Sequence, residues 1–88
     1  MKLIEEVREF IWSFINEDNG QIKEEIQNEM DIYDIRKVIE ITNEKFGINI
    51  EVEGIGNFDS PGYAMTCYAW AGIIEDELYF DCLTEECY

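Results

Sequence analysis

"KFGINIEVEG", Lys45 to Gly54, is where the chain changes its hydrophobic period. Up to Phe46 the apolar residues recur in steps of three and four, the spacing of one face of an α-helix. From Ile48 they alternate: Ile48, Ile50 and Val52 against Asn49, Glu51 and Glu53. That is the pattern of a half-buried strand. Gly47 stands between the two regimes. A glycine can enter left-handed backbone at no steric cost, and Ile48 supplies the apolar contact that often accompanies such a helix end. Residues 1–47 therefore form a helical half and residues 48–88 a strand half of one small domain.

Upstream of the switch, Ile35, Val38, Ile39, Thr42 and Phe46 make the core stripe of a helix expected over Ile32–Phe46, with Asp31 as its N-cap. A shorter helix is expected from about Gln21 to Met30, with Ile22, Ile26 and Met30 four apart. Asp18-x-x-Gln21 resembles a capping box, and Gly20 permits the turn before it. The first helix is expected over Lys2–Asn16, carrying Leu3, Val7, Phe10, Ile11 and Phe14 inward. Trp12 falls on its polar face, one turn from Arg8. An indole there is either half-covered by a neighbouring element or a contact anchor.

Downstream, "GIGNFDSPG" (residues 54–62) reads as a loop or an irregular edge, with its glycines and Ser60-Pro61-Gly62 as turn chemistry. "YAMTCYAWAGII" (residues 63–74) is apolar and aromatic, as a central strand is. Asp76 and its neighbours turn the chain. In "ELYFDCL" the alternation resumes, with Leu78, Phe80 and Cys82 expected inward and Glu77, Tyr79 and Asp81 outward. The fold class is α+β: two or three N-terminal helices packed on a C-terminal three-stranded antiparallel β-meander, with the helices on one face. Same-face residues on a strand recur about every 6.6 Å and strands lie about 4.8 Å apart. The uncovered face is thus expected to carry Glu51, Glu53, Glu77, Tyr79 and Asp81 as a lattice of carboxylates around an aromatic.

Charge is the strongest compositional signal. The 88 residues hold 21 acids and six bases, a net charge of −15. Lys2, Arg8, Lys23, Arg36, Lys37 and Lys45 all lie in the first 45 residues. From Phe46 onward there are nine acids and no base. Such a half repels nucleic acid and anionic membrane and attracts a basic surface. Self-repulsion at this charge opposes compaction, so folding does not account for the excess.

Several functions lose their chemistry at this point. No apolar run is long enough to span a membrane, and "MKLIEEVREF" interleaves acids and an arginine with its apolar residues, unlike a secretory leader. The expected location is the cytoplasm, where Cys67, Cys82 and Cys87 would stay reduced. Their spacing matches no zinc pattern. Asn19-Gly20-x-Ile22 suggests a calcium loop until it is counted. With Gly20 at the sixth loop position, the first and twelfth fall on Ile15 and Ile26, neither an oxygen ligand. The chain has no histidine, which removes the usual general base, and it has neither a P-loop nor a dinucleotide fingerprint. No enzyme, metal or cofactor is expected.

What remains is a partner surface: Glu51, Glu53, Glu75, Asp76, Glu77, Tyr79, Asp81, Glu85 and Glu86, with Trp70 or Tyr68 as a further aromatic contact. Its partner would be a basic nucleic-acid-binding protein, and the acids would stand where phosphates stand. In size, acidity and helices-then-meander order the chain resembles small phage-encoded inhibitors of DNA-handling enzymes: anti-CRISPR proteins, anti-restriction proteins and uracil-DNA glycosylase inhibitors. The resemblance covers the whole chain as architecture and charge, and no motif carries it, so it assigns no residue. It implies a DNA mimic that occupies the basic channel of a Cas effector or related nuclease without itself binding nucleic acid. Immunity or antitoxin proteins that cap a basic nuclease toxin share this physics, and an acidic protein–protein adaptor is a third possibility.

Overall fold

In the computed structural model the backbone is described for residues 2–60 and 63–87, and side chains for residues 2–54 and 66–84. Three helices precede a three-stranded antiparallel sheet: α1 (Leu3–Trp12), α2 (Glu24–Met30), α3 (Ile35–Phe46), β1 (Glu51–Ser60), β2 (Tyr63–Ile74) and β3 (Glu77–Cys87). The sheet order is β1-β2-β3. The core lies between α1, α3 and one sheet face. Val7, Ile11, Ile35, Val38 and Ile39 meet Ile50, Trp70, Ile74, Tyr79 and Leu83 there.

α1 ends at Trp12, earlier than its periodicity suggests. Phe14 and Ile15 remain buried, but Ile15 forms a bridge with Ile22 instead of another helical turn. Asn16 N–H donates to the Gln21 carbonyl (2.7 Å) and Lys23 N–H to the Phe14 carbonyl (2.9 Å). Gly20, at φ 72°, closes this small hairpin. The expected capping box is therefore part of a turn: Asn16 and Asn19 side chains accept from the Asp18 and Gln21 amides. α2 starts only at Glu24.

Asp31 caps nothing at the start of α3. It adopts left-handed backbone (φ 57°) at the end of α2. The N-cap is Asp34, whose carboxylate accepts the Arg36 amide at 2.8 Å. Both aspartates suit a helix boundary, and the two residues between them, Ile32 and Tyr33, separate α2 from α3. At the other end Gly47 sits at φ 65°, with its amide and that of Ile48 donating to the Asn43 carbonyl. The Asn43 side chain then pairs with Ile50 through two hydrogen bonds, 2.8 and 3.0 Å. This amide clamp delivers the chain from α3 into β1.

β1 extends through the segment read as a loop or irregular edge, and it is the edge strand that forms. Its register against β2 shifts between Gly54 and Gly56, where β1 carries one extra residue. Pro61 and Gly62 lie outside the described residues. β2 and β3 pair without interruption to Ile74 and Glu77, leaving a two-residue turn. Glu75 and Asp76 both have positive φ, 48° and 66°, the backbone of a type I′ hairpin turn. At Gly72 a Cβ would stand 2.9 Å from the Asn49 carbonyl oxygen, so a side chain is excluded where β2 passes the entry of β1.

Candidate protein-docking face

β3 presents the opposite phase to the one its alternation suggests. Tyr79 is 5% exposed and Leu83 is buried, both against the helices. Leu78 and Phe80, expected inside, are 68% and 63% exposed, and Cys82 is exposed with them. The reason is a polar network. Trp70, 1% exposed, donates its indole N–H to the Tyr79 hydroxyl at 3.2 Å. That hydroxyl donates to Asp81 Oδ2 at 3.2 Å, and Trp12 of α1 donates to the same oxygen at 2.7 Å. Arg8 Nε lies 3.7 Å from it. A carboxylate with two donors and a guanidinium beside it tolerates partial burial.

Burial pushes the Tyr79 hydroxyl up to about 12; the Trp70 donor opposes this and the Asp81 carboxylate adds to it. Tyr79 and Asp81 thus hold the fold together and do not form the outer surface. Trp12 is half-buried and lies 6.3 Å from Trp70, centroid to centroid, so its indole is half-covered by the sheet. Trp70 is fully enclosed, and Tyr68 lies on the helix side with the Arg36 guanidinium 5.3 Å from its ring centroid. Neither belongs to the outer face. Glu77 shares the phase of Tyr79 and leans toward α1, where Lys2 Nζ is 3.6 Å away. This is an exposed pair of small energetic weight.

Of the expected acidic lattice, Glu51 and Glu53 stand on the outer face. The register sets its rows. Ile73 lies opposite Leu78. Ala71 lies between Glu51 and Phe80, and Ala69 between Glu53 and Cys82. Cys67 lies opposite Thr84, Sγ to Oγ1 3.6 Å. The small side chains of Ala69 and Ala71 leave a shallow trough of about 190 Å³, walled by Glu51 and Glu53 on one side and Phe80 on the other. Glu75 and Asp76 are exposed at the β2–β3 turn, at the end of the same face. The side chains of Glu85, Glu86 and Cys87 lie outside the described residues.

Among the described residues the outer face therefore has an apolar cluster of Ile73, Leu78 and Phe80 toward the hairpin turn, with acids along β1 and at the turn. Sequence reasoning missed that cluster. One signal was available: β2 is apolar on both of its phases, as a strand covered on two sides is. No helix among the described residues is long and apolar enough to cross a membrane. No family model, curated protein or solved structure matches the chain.

Proposed function

We propose that the protein is a non-enzymatic inhibitor that acts in the cytoplasm by docking its strand half on the basic nucleic-acid-binding groove of a DNA-handling enzyme. A Cas effector is the target class we put first, and the acids along β1 and the turn stand where phosphates would. One observation carries this reading. All six bases precede Phe46, while nine acids and no base follow it. Glu51, Glu53, Glu75 and Asp76 are exposed on that base-free half. A surface of one sign accelerates encounter with the opposite sign and excludes like-charged partners.

The test is order-of-addition competition with duplex DNA, using Cas effectors, restriction enzymes and uracil-DNA glycosylase as targets. The protein added first should exclude DNA, DNA added first should slow the protein, and the on-rate should fall steeply with salt. Simultaneous binding of protein and DNA without mutual loss of affinity, for every target that binds the protein, overturns the mimicry.

A further inference from the structure

We propose that the outer face of the sheet is a docking surface for a cationic, amphipathic protein segment. The segment lays apolar side chains on Ile73, Leu78 and Phe80 and an arginine in the trough between Phe80 and the Glu51–Glu53 pair. The inference rests on the proposed function only in requiring a basic protein partner. It does not depend on which protein that is, or on competition with nucleic acid.

Three observations converge on this occupant. First, Ile73, Leu78 and Phe80 are 62%, 68% and 63% exposed and adjacent: Ile73 is paired with Leu78, and Phe80 follows on the same face of β3. A monomer seldom leaves such a cluster to water without a use for it. Second, the face is two-sided in character but covered on one side. β2 has the apolar composition of a strand buried on both faces, whereas α1 and α3 pack against only one. Third, the border is acidic. The trough has alanines as its floor, a phenyl ring on one wall and two carboxylates on the other. An arginine fits this chemistry. Its aliphatic stem lies over Ala69 and Ala71, its planar head stacks on Phe80, and its donors meet Glu51 or Glu53.

A second copy of the chain does not fit as occupant. Each copy carries −15, and laying two outer faces together brings acidic borders into contact with no base after Lys45 to oppose them. The three bases seen against strand residues are directed elsewhere, Arg36 to the Tyr68 ring on the helix side, Lys2 to Glu77 and Arg8 to Asp81. A bare polycation is also a poor match, because it leaves the Ile73–Leu78–Phe80 cluster uncovered.

The probe is a synthetic leucine/arginine amphipathic peptide titrated into the full ¹⁵N-labelled chain. Two control peptides accompany it, one with citrulline for arginine and one with serine for leucine. The expected result is a set of amide shifts confined to Glu51, Glu53, Ala69, Ala71, Ile73, Leu78 and Phe80. Both controls, and the exposed-site variants Phe80→Ser and Glu51→Gln/Glu53→Gln, should each lose roughly tenfold in affinity or more. Leu78→Ser provides a second apolar test should Phe80→Ser disturb the fold. Shifts spread over the acids of α1 and α2, or affinity unchanged in both Phe80→Ser and Leu78→Ser, overturn the inference. So does sedimentation showing a dimer that Phe80→Ser dissolves. Peptide docking on this face without DNA competition would reject the mimic and keep the docking surface; competition unaffected by the apolar variants would do the reverse.

Discussion

Trp12 on α1 and Asp81 on β3, 69 residues apart in sequence, are joined by an indole N–H to carboxylate hydrogen bond of 2.7 Å. The bond ties the first helix to the last strand and continues through Tyr79 to Trp70 in the core. Asp81→Ala strips the acceptor from two donors at once and should destabilise the protein by about 2–4 kcal/mol. Asp81→Asn keeps an acceptor of the same shape and should cost about half as much. Urea midpoints at constant slope would measure both. Equal losses would show that Asp81 acts through its charge toward Arg8 and not through the two donors.

Tyr79 makes stability pH-dependent at the alkaline end. Its hydroxyl is held at about 12 in the folded protein against 10.0 when unfolded. Above pH 10 the unfolded chain releases this proton and the folded one retains it. The folded state then binds more protons, so stability falls as pH rises. The contribution is intact below pH 10 and is lost between pH 10 and 12, amounting to about 2–3 kcal/mol. Tyr79→Phe should flatten that part of the denaturation profile; an unchanged slope would remove Tyr79 as its source.

Gly72 should not accept a side chain. The Cβ of an alanine would approach the Asn49 carbonyl oxygen to 2.9 Å and the Ile50 Cα to 3.1 Å, both backbone atoms. Gly72→Ala should cost about 1–3 kcal/mol by overpacking, and Gly72→Val more. The crowding sits beside the Asn43–Ile50 clamp, so amide exchange at Ile50 should accelerate in the variant. A melting temperature within error of the parent would contradict the close approach.

The Glu75–Asp76 turn has left-handed backbone at two residues that pay a steric penalty for it. Glu75→Asn with Asp76→Gly supplies the sequence that type I′ turns prefer. The double variant should gain about 1 kcal/mol, which for a domain of this size raises the melting temperature by about 4–8 °C. It also removes two acids from one end of the docking face, so association with a basic partner should slow while the fold tightens. A stabilised protein with an unaltered on-rate would place the contact elsewhere.

The helices-then-meander order was legible in the sequence because both periods are clean on either side of Gly47. Boundaries were less so. Asp31 and Asp34 are equally good capping residues, and only the backbone, left-handed at one and extended at the other, separates them. Glycines at positions 54 and 56 left a loop and an irregular edge both open, and the chain takes the second, an edge strand with one extra residue. Glu51 and Glu53 were placed on the correct face because Ile50 and Val52 leave no other choice. Tyr79 and Asp81 were not. By hydrophobicity, Leu78 and Phe80 outrank a tyrosine and an aspartate for the inside. The outcome turned on donors from Trp70, across the same hairpin, and from Trp12, 69 residues before Asp81, and neither is marked by the alternation of β3.

That inversion has a consequence for how the chain folds. β3 holds two sets of side chains that could face the helices, and a hairpin slipped by one residue would bury Leu78 and Phe80 using a three-residue turn. Hydrophobic collapse alone favours the slipped form. Two contacts discriminate against it: Trp70 to Tyr79 within the hairpin, and the shorter bond from Trp12 to Asp81, which cannot form until α1 arrives. Register selection is therefore completed late, once the long-range bond joins the local one. Refolding monitored by tryptophan fluorescence should show a slow phase insensitive to prolyl isomerase. Phe80→Ser should shorten that phase by removing the incentive to slip, and Trp12→Phe should lengthen it by removing the bond that corrects it.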